Sequence, residues 1–197
     1  AQKDKPSKQQ PARASATDPA ARRMRLADGG TRPAYNVQFA ADPHSRAIVG
    51  VAVSNVGSDA GLATPMRQQV EQRTGQVVRQ QLVDGGYCQL ATVDEAPPTL
   101  ELFMPVPPPR KEGIDPHAPK RGDSPAVAAW RQRMQTAAAQ TLYQQRAATS
   151  ETVNGEVKTY RGLGRLVVRG LTKVRCQVLW AALAYNVVHL GRHLIGG

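Results

Sequence analysis

The 197-residue sequence predicts an α/β fold, a mixed sheet with flanking helices. Residues 34–107 hold four short runs rich in Val, Ile and aromatic residues, which is typical of strands. Residues 171–193 carry an apolar stripe at helical spacing, and residues 123–160 begin with Ser124 and Pro125, which are typical of a helix start. Residues 1–30 are polar and rich in Lys, Gln, Ala, Pro and Ser, so we expect a disordered leader or linker before a domain at 31–197.

Local signals define each element within that domain. Tyr35, Val37 and Phe39 alternate with polar or small residues, and a turn at 42–45 leads into a second Val-rich run, which predicts an antiparallel hairpin. Gly75 would close the following helix, and Ser124 would cap a later one. The predicted elements are strands at 34–42 and 46–55, a helix at 58–75, a strand at 76–84, a short helix at 89–96, a strand at 99–107, a loop at 107–123, and helices at 123–160 and 171–193.

Charge and cysteine content restrict the class of function. The formal net charge is +11, which favours a polyanionic partner, most often a nucleic acid. Cys88 and Cys176 lie far apart, so a disulfide scaffold or a zinc ribbon is not expected, and a reducing cytoplasm fits. The longest apolar stretch, residues 178–190, is too short to span a membrane.

A lone carboxylate stands at the end of the third predicted strand. In "QLVDGGYC" (81–88), Asp84 follows the apolar pair Leu82 and Val83 and precedes two glycines. Functional side chains often lie at strand ends in α/β sheets, and glycines would let a bulky ligand approach the backbone. An ordinary Asp-Gly-Gly turn explains the same residues, so this stretch alone leaves both interpretations open.

A second carboxylate, Glu151, lies in the predicted helix 123–160, together with Tyr143, Arg146 and Lys158. A Mg²⁺ site needs carboxylate oxygens from separate elements, and a strand end and a packed helix could supply one each. The alternative is a solvent-exposed helix face on which such charges form weak pairs.

A basic series follows Glu151 directly. If the segment is helical, these cations form one stripe that suits a phosphate backbone, although Gly162, Gly164 and Gly170 disfavour an unbroken helix. A solvated face is the alternative interpretation. The series consists of Lys158, Arg161, Arg165, Arg169 and Lys173.

Four stretches, in order, resemble the DDE transposases of bacterial insertion sequences, the IS-four-like superfamily: "ATDPAARRM…GGTRPAYNVQFAAD", "VDGGYC", "YQQRAATSETVNGEVKTYRGL" and "GLTKVRCQVLWAALAYNVVHL". The resemblance implies a ribonuclease-H-like fold, two Mg²⁺ ions, and cleavage and strand transfer at the ends of a mobile element. It also implies that Asp84 is the second and Glu151 the third catalytic and metal-binding acid. Tyr143, Arg146 and Lys158 would then contact DNA near the cut.

The sequence departs from the family pattern at two points. The family has a first catalytic acid in an Asp-Gly-Thr or Asp-Gly-Ser motif, which is not found, and neither Asp28 nor Asp42 fits it. Four residues rather than three separate Arg146 from Glu151. We therefore expect an N-terminally truncated fragment whose sheet lacks its first strand and which is inactive alone, because a site short of one carboxylate binds metal poorly.

Two further hypotheses remain open at the level of sequence. One is a non-catalytic basic nucleic-acid-binding protein, for which neutralising Arg161, Arg165 and Arg169 would abolish function while Asp84→Asn would be silent. The other is a decayed remnant without function, whose unpaired strand edge would favour aggregation. Whether the chain forms a homodimer is left open.

Overall fold

The computed structural model describes residues 15–26, 28–109 and 111–195. Strands dominate the first half of this part of the chain and helices the second half. In chain order the elements are β1 (Arg22–Arg25), β2 (Thr31–Ala34), β3 (Asn36–Ala41), β4 (Ile48–Ser54), α1 (Ala63–Thr74), β5 (Gln80–Leu82), a 3₁₀ turn (Gly85–Tyr87), α2 (Leu90–Asp94), β6 (Glu101–Phe103), α3 (Pro125–Gln135), α4 (Ala137–Tyr160) and α5 (Leu171–Ile195).

The strands form three separate pairs. β1 and β2 are antiparallel, β3 and β4 form the predicted antiparallel hairpin, and β5 and β6 are parallel. The α/β class is therefore confirmed. The single mixed ribonuclease-H-like sheet is not what the described residues form, because no strand of one pair is hydrogen-bonded to a strand of another.

Side chains occupy the outer edge of β4, where a further strand would otherwise pair. The Val51 N–H donates to Gln69 Oε1 of α1 at 2.8 Å. Asn186 of α5 accepts from the Ile48 N–H and donates to the Ile48 carbonyl, both at 2.8 Å. Backbone groups that are hydrogen-bonded in this way cannot pair with another strand, so no strand is added to the sheet beyond β4 in the described part of the chain.

The third and fourth strands are shorter than predicted. The predicted strand at 76–84 forms only at Gln80–Leu82, because the Val78 N–H donates to Glu71 Oε1 of α1 at 3.1 Å instead of to a strand. The predicted strand at 99–107 forms only at Glu101–Phe103, and Pro105 follows shortly after. Proline has no N–H to donate to a ladder.

The long predicted helix at 123–160 is two helices. Ser124 caps α3 as predicted, accepting from the Val127 N–H at 3.1 Å. Thr136 then adopts extended backbone (φ −70°, ψ 143°) and its Oγ1 accepts from the Ala139 N–H at 3.2 Å, so it caps α4. A threonine side chain that bonds the backbone competes with helix continuation. The predicted end of α1 at Gly75 is confirmed by its φ of 67°, as is the last helix, α5.

The predicted leader at 1–30 is described from residue 15, and residues 1–14 lie outside the described part. Arg22–Arg25 of this segment form β1. The segment is held to the rest of the chain at Asp18, whose carboxylate accepts from the Tyr35 hydroxyl at 2.8 Å and from the Gly170 N–H at 3.2 Å. Part of the predicted leader is thus an ordered strand.

Two hydrophobic cores are present. The first core joins β5, β6, α2, α3, the start of α1 and the start of α4 around the buried side chains of Ala63, Val83, Val93, Leu102, Phe103, Met104, Val127, Trp130, Met134 and Ala139. The second core joins β4, the end of α4 and α5 around Ile48, Val51, Val153, Val157, Val174, Val178, Ala181, Ala182 and Tyr185. Val37 and Phe39 of β3 pack against the second core.

Helix α1 packs on the other face of the β3–β4 hairpin. A Cβ built on Gly50 would lie 2.7 Å from Met66 Sδ and 3.0 Å from Val70 Cγ2, so a larger residue here would displace these α1 side chains. The hairpin is consequently covered on one face by α1 and on the other by α4 and α5. None of the described helices is both long and apolar enough to cross a bilayer.

Candidate functional site

A central cleft of about 820 Å³ separates the β3–β4 hairpin from the β5–β6 pair. Its sides are β3 and β5, and the facing sides of α1 and α4 close it from opposite directions. Carboxylates, amides and one guanidinium gather at the end of the cleft where β5 stops. Convergent polar groups of this kind can bind a ligand, so this end of the cleft is the candidate site.

Asp84 stands at this end, as its position after the strand predicts. The Val83 N–H still pairs with the Phe103 carbonyl at 3.0 Å, and the chain then turns away. Asp84 Oδ1 accepts from the Gly86 N–H at 2.8 Å and caps the 3₁₀ turn. Its other oxygen, Oδ2, has no protein partner among the described residues and remains available to a ligand.

Asp59 lies beside Asp84, and sequence reasoning missed it. Its Oδ1 accepts from Asn36 Nδ2 at 2.6 Å and from Gln38 Nε2 at 2.7 Å. These two amides are two positions apart on β3, so they share one face of the strand. The paired polar residues Asn36 and Gln38 within an otherwise apolar strand were the available signal for a partner on that face.

The two carboxylates flank one glycine. A Cβ built on Gly86 would lie 3.0 Å from Asp84 Oδ1 and 3.4 Å from Asp59 Oδ2. Burial raises the pKa of the neighbouring Tyr87 hydroxyl, and the negative charges of Asp59 and Asp84 raise it further. Two hard oxygen donors on a half-open surface can hold a cation. The described residues contain no group of three or more His, Cys, Asp or Glu side chains arranged to hold a metal ion.

Tyr143 and Arg146 of α4 reach the same end of the cleft. The Tyr143 hydroxyl donates to the Val83 carbonyl at 3.1 Å, directly before Asp84. Burial raises the Tyr143 pKa, the Arg146 charge acts to lower it, and the Asp84 charge acts to raise it. The Arg146 guanidinium lies 5.4 Å from the centre of the Tyr143 ring, and its buried Nε has no hydrogen-bond partner among the described residues.

Glu151 does not line the cleft. It is exposed, whereas its neighbours Ser150 and Asn154 do line the cleft. Glu151 comes about two and a half helical turns after the cleft-lining Leu142, which places it on the opposite side of α4. The structure therefore brings Asp84 and Arg146 to one cleft, with Glu151 outside its lining, and ligation of one ion by Asp84 and Glu151 stays a prediction.

The predicted basic series spans three elements rather than one helix. Lys158 lies in the last turn of α4, and Lys173 lies in the first turn of α5. Between them the chain turns through Gly162 and Gly170, whose φ angles are 74° and 82°. We call residues 161–170 the basic loop: Arg165 and Arg169 are exposed there, and Arg161 is half-buried.

Residues 119–191 match a family model described as the transposase DDE domain. The matched segment includes Tyr143, Arg146, Glu151 and the basic loop, whereas Asp59 and Asp84 precede it. A transposase DDE domain implies DNA transposition and, with it, DNA as a partner. Curated proteins and solved structures gave no match to the chain.

Proposed function

We propose that the chain acts in DNA transposition by metal-dependent strand cleavage and strand transfer at the ends of a bacterial insertion sequence, as in the IS-four-like superfamily. One observation carries this proposal. Asp59 and Asp84 flank Gly86, and Tyr143, which belongs to the matched segment, donates a hydrogen bond to the Val83 carbonyl directly before Asp84. Acting on bacterial DNA, such a protein would work in the cytoplasm. A homodimer belongs to the same proposal.

The carboxylate pair fits a Mg²⁺ ion. Mg²⁺ in phosphoryl-transfer sites is held by one or two carboxylates and completes its shell with water and substrate phosphate. Asp59 and Asp84 would hold it, and the amides of Asn36 and Gln38 orient Asp59 for that purpose. When bound, the ion would polarise a phosphate and lower the pKa of a bound water. Because two carboxylates rather than three flank Gly86 at this end of the cleft, we expect weak binding and slow cleavage by the chain alone.

The remaining groups hold DNA. Arg146 presents a guanidinium to the cleft beside Asp84, where it would pair with a phosphate next to the reacting one. Arg165 and Arg169 are further exposed cations on the basic loop. Lys158 is another exposed cation, in the last turn of α4 before the loop. Such contacts give affinity without sequence preference, and the affinity falls as salt rises.

Metal binding by itself tests the carboxylates. We would titrate the chain with Mn²⁺, a paramagnetic substitute for Mg²⁺, and measure free Mn²⁺ by electron paramagnetic resonance. Asp84→Asn and Asp59→Asn should each weaken binding by more than about tenfold, since even loss of an outer-shell partner costs tenfold or more. Glu112→Gln, in the exposed loop before α3, is the matched control and should bind as the wild type does.

Glu151→Gln decides between the two carboxylate sets. If Glu151→Gln weakens Mn²⁺ binding and Asp59→Asn does not, the set implied by the family resemblance is correct and Asp59 is structural. If Asp84→Asn leaves binding unchanged, the metal site at this end of the cleft is disproved. Mg²⁺-dependent nicking of supercoiled plasmid DNA, abolished by the same variants, would extend the result from binding to cleavage.

A non-catalytic basic nucleic-acid-binding protein is the second candidate function. The exposure of Arg165 and Arg169 favours it, as does the lack of a three-acid cluster among the described residues. For this function, Arg161→Gln, Arg165→Gln and Arg169→Gln together should abolish duplex binding and flatten its salt dependence, while Asp84→Asn is silent. Nicking lost in Asp84→Asn would exclude it as the whole function.

A further inference from the structure

β1 and β2 form a two-stranded ribbon that is hydrogen-bonded to no other strand in the described part of the chain. Its four residue pairs run from Arg22 with Ala34 at the base to Arg25 with Thr31 beside the turn. At about 3.3 Å per residue the ribbon is about 10 Å long. The major groove of duplex DNA admits a two-stranded ribbon, so the dimensions of this element suit a nucleic acid.

Proline closes the outer edge of the ribbon on the β2 side. The Leu26 N–H donates to the Gly30 carbonyl at 2.8 Å, which makes these two residues a hydrogen-bonded pair. Pairs alternate along the ladder, so Pro33 and its partner Arg23 form a non-hydrogen-bonded pair. The Pro33 nitrogen therefore faces outward and has no N–H to donate to a further strand, which keeps the ribbon two-stranded on this side.

The two faces of the ribbon differ. Along β1, Arg23 and Arg25 are exposed while Arg22 and Met24 are half-buried, because alternate side chains point to opposite faces. Met24 Cγ would lie 3.4 Å from a Cβ built on Gly57, so the Met24 face packs on the loop after β4. The Arg23 and Arg25 side chains therefore point to solvent from positions about 7 Å apart.

Only part of the positive charge of the ribbon is engaged within the chain. Arg22 Nη1 donates to a backbone carbonyl of the preceding turn at 2.6 Å, and Arg32 forms an ion pair with Asp28. The ion pairs among the described residues involve neither Arg23 nor Arg25, and the residues opposite these two on β2 are uncharged. Two guanidinium groups on one exposed face can each contact a phosphate.

Asp18 attaches the base of the ribbon to the basic loop. Its carboxylate accepts from the hydroxyl of Tyr35, the residue directly after β2, and from the Gly170 N–H at the end of the basic loop. Asn36, which donates to Asp59 in the candidate site, lies about 7 Å along the chain from the end of β2. The ribbon and the basic loop are thus two cationic elements that meet beside the candidate site.

We propose that the β1–β2 ribbon is a second DNA-binding element, which contacts the phosphate backbone of duplex DNA through Arg23 and Arg25. The inference rests on the proposed function only in taking DNA as the polyanion. The DNA-binding surface then includes residues 22–33, which lie outside the segment 119–191 that matches the family model. Because phosphate contacts do not read bases, the ribbon adds affinity rather than sequence preference.

Binding of the full chain to a short fluorescein-labelled DNA duplex tests the proposal, measured by anisotropy in EDTA at several salt concentrations. Arg23→Gln together with Arg25→Gln should lower the slope of log K against log salt by about 2, since each lost phosphate contact removes about 0.9. Affinity at about 0.1 M salt should fall by about tenfold or more. Arg73→Gln with Arg79→Gln is the matched control, because it removes the same charge from exposed positions at the end of α1 and just before β5. The control should keep both the slope and the affinity.

Arg23→Lys with Arg25→Lys separates charge from structure. Lysine contacts phosphate as a point charge, so this variant should keep the slope, whereas a role that needs the guanidinium groups for folding would be lost. On the wild-type chain, the NMR amide shifts of Arg23, Arg25 and Thr31 should change with duplex concentration, while that of Val77, 66% exposed before β5, should not. This measurement decides the question if the glutamine variant fails to fold.

Three results would overturn the proposal. They are unchanged slope and affinity in the glutamine variant, an equal loss in the control, and tighter ribbon-dependent binding to duplex RNA of the same sequence, which would make RNA the partner. Absence of any duplex binding by the wild type would overturn the proposed function as well. Because EDTA removes divalent metal, a failure of Mn²⁺ binding or of nicking would leave the ribbon result intact, so the two proposals can fail separately.

Discussion

The two hydrophobic cores on either side of the cleft are built differently. The first core contains Trp130, Phe103 and two methionines, and the Trp130 Nε1–H donates to the Met104 carbonyl at 3.0 Å. The buried side chains of the second core are mainly Val and Ala from β4, α4 and α5, and Tyr185 is the one aromatic residue among these buried members. A few large, well-satisfied side chains stabilise the first, and many small ones stabilise the second.

Helices α1 and α4 belong to both regions. Ala63 lies in the first core while Met66 packs on Gly50 of β4, and α4 places Ala139 in the first core and Val157 in the second. The cleft lies between two cores that are each closed by their own packing. The comparison teaches that packing within the two cores, rather than contacts across the cleft, fixes the positions of the elements that line the candidate site.

The largest expected effect is that of Trp130→Ala in the first core. Trp130 is 1% exposed, so truncation should lower the free energy of unfolding by about 3–5 kcal/mol. Val178→Ala, at 0% exposure in the second core, removes less volume and should cost about 2 kcal/mol. Urea denaturation of both variants measures the difference, and an equal or larger loss for Val178→Ala would refute the contrast between the cores.

Loss of the side-chain hydrogen bonds that cover the outer edge of β4 should have the next largest effect on the free energy of unfolding. Asn186→Leu removes both hydrogen bonds to Ile48 and should cost about 2 kcal/mol, because it leaves two backbone groups unpaired. Gln69→Leu removes only the bond from the Val51 N–H and should cost about 1 kcal/mol. Thermal unfolding ranks the two variants, and the reverse order would show that α5 does not secure this edge.

Removal of the hydrogen bond that links α4 to the end of β5 should lower the free energy of unfolding by a smaller amount. Tyr143→Phe removes the hydrogen bond to the Val83 carbonyl and should cost about 1 kcal/mol. Amide exchange in the turn at 85–87 should rise together with the loss of stability. Tyr160→Phe, whose side chain is 71% exposed, is the control. If both variants behave alike, Tyr143 does not position the Asp84 turn.

The smallest expected effect concerns the attachment of the N-terminal segment at Asp18. Burial acts to raise the Asp18 pKa, but hydrogen bonds from Tyr35 and Gly170 outweigh it and hold the pKa below its usual value. A carboxylate with a lowered pKa in the folded chain stabilises it above pH about 4, and this contribution is lost as pH falls. Asp18→Asn should therefore make stability less dependent on pH between about 5 and 3, as measured by denaturation at each pH.

Tyr35→Phe provides the matching half of that experiment. Burial, and after it the hydrogen bond to Asp18 and the Asp18 charge, raise the Tyr35 pKa to about 12, so the Tyr35 hydroxyl stays a proton donor across the whole pH range. Its removal should reduce the acid dependence, but by less than Asp18→Asn does, since the Gly170 N–H still donates to Asp18. Unchanged acid dependence in both variants would mean that Asp18 does not couple the segment to the basic loop.

The sequence by itself determined the elements that depend on neighbours along the chain. Alternation over Tyr35, Val37 and Phe39 predicted the hairpin, Gly75 the end of α1, and Ser124 the start of α3. Each signal is local, because side-chain period, positive φ and capping involve residues only a few positions apart. The position of Asp84 at a strand end was predicted for the same reason.

Only the tertiary structure decided which of these parts meet. Asp59 joins the site through Asn36 and Gln38, more than twenty residues away, and α5 closes the β4 edge through Asn186, 138 residues from Ile48. The orientation of α4 about its own axis places Arg146 in the lining of the cleft and Glu151 outside it. No local pattern encodes these choices, because burial of both cores sets the register and rotation of helices relative to strands, and that depends on packing over the whole chain.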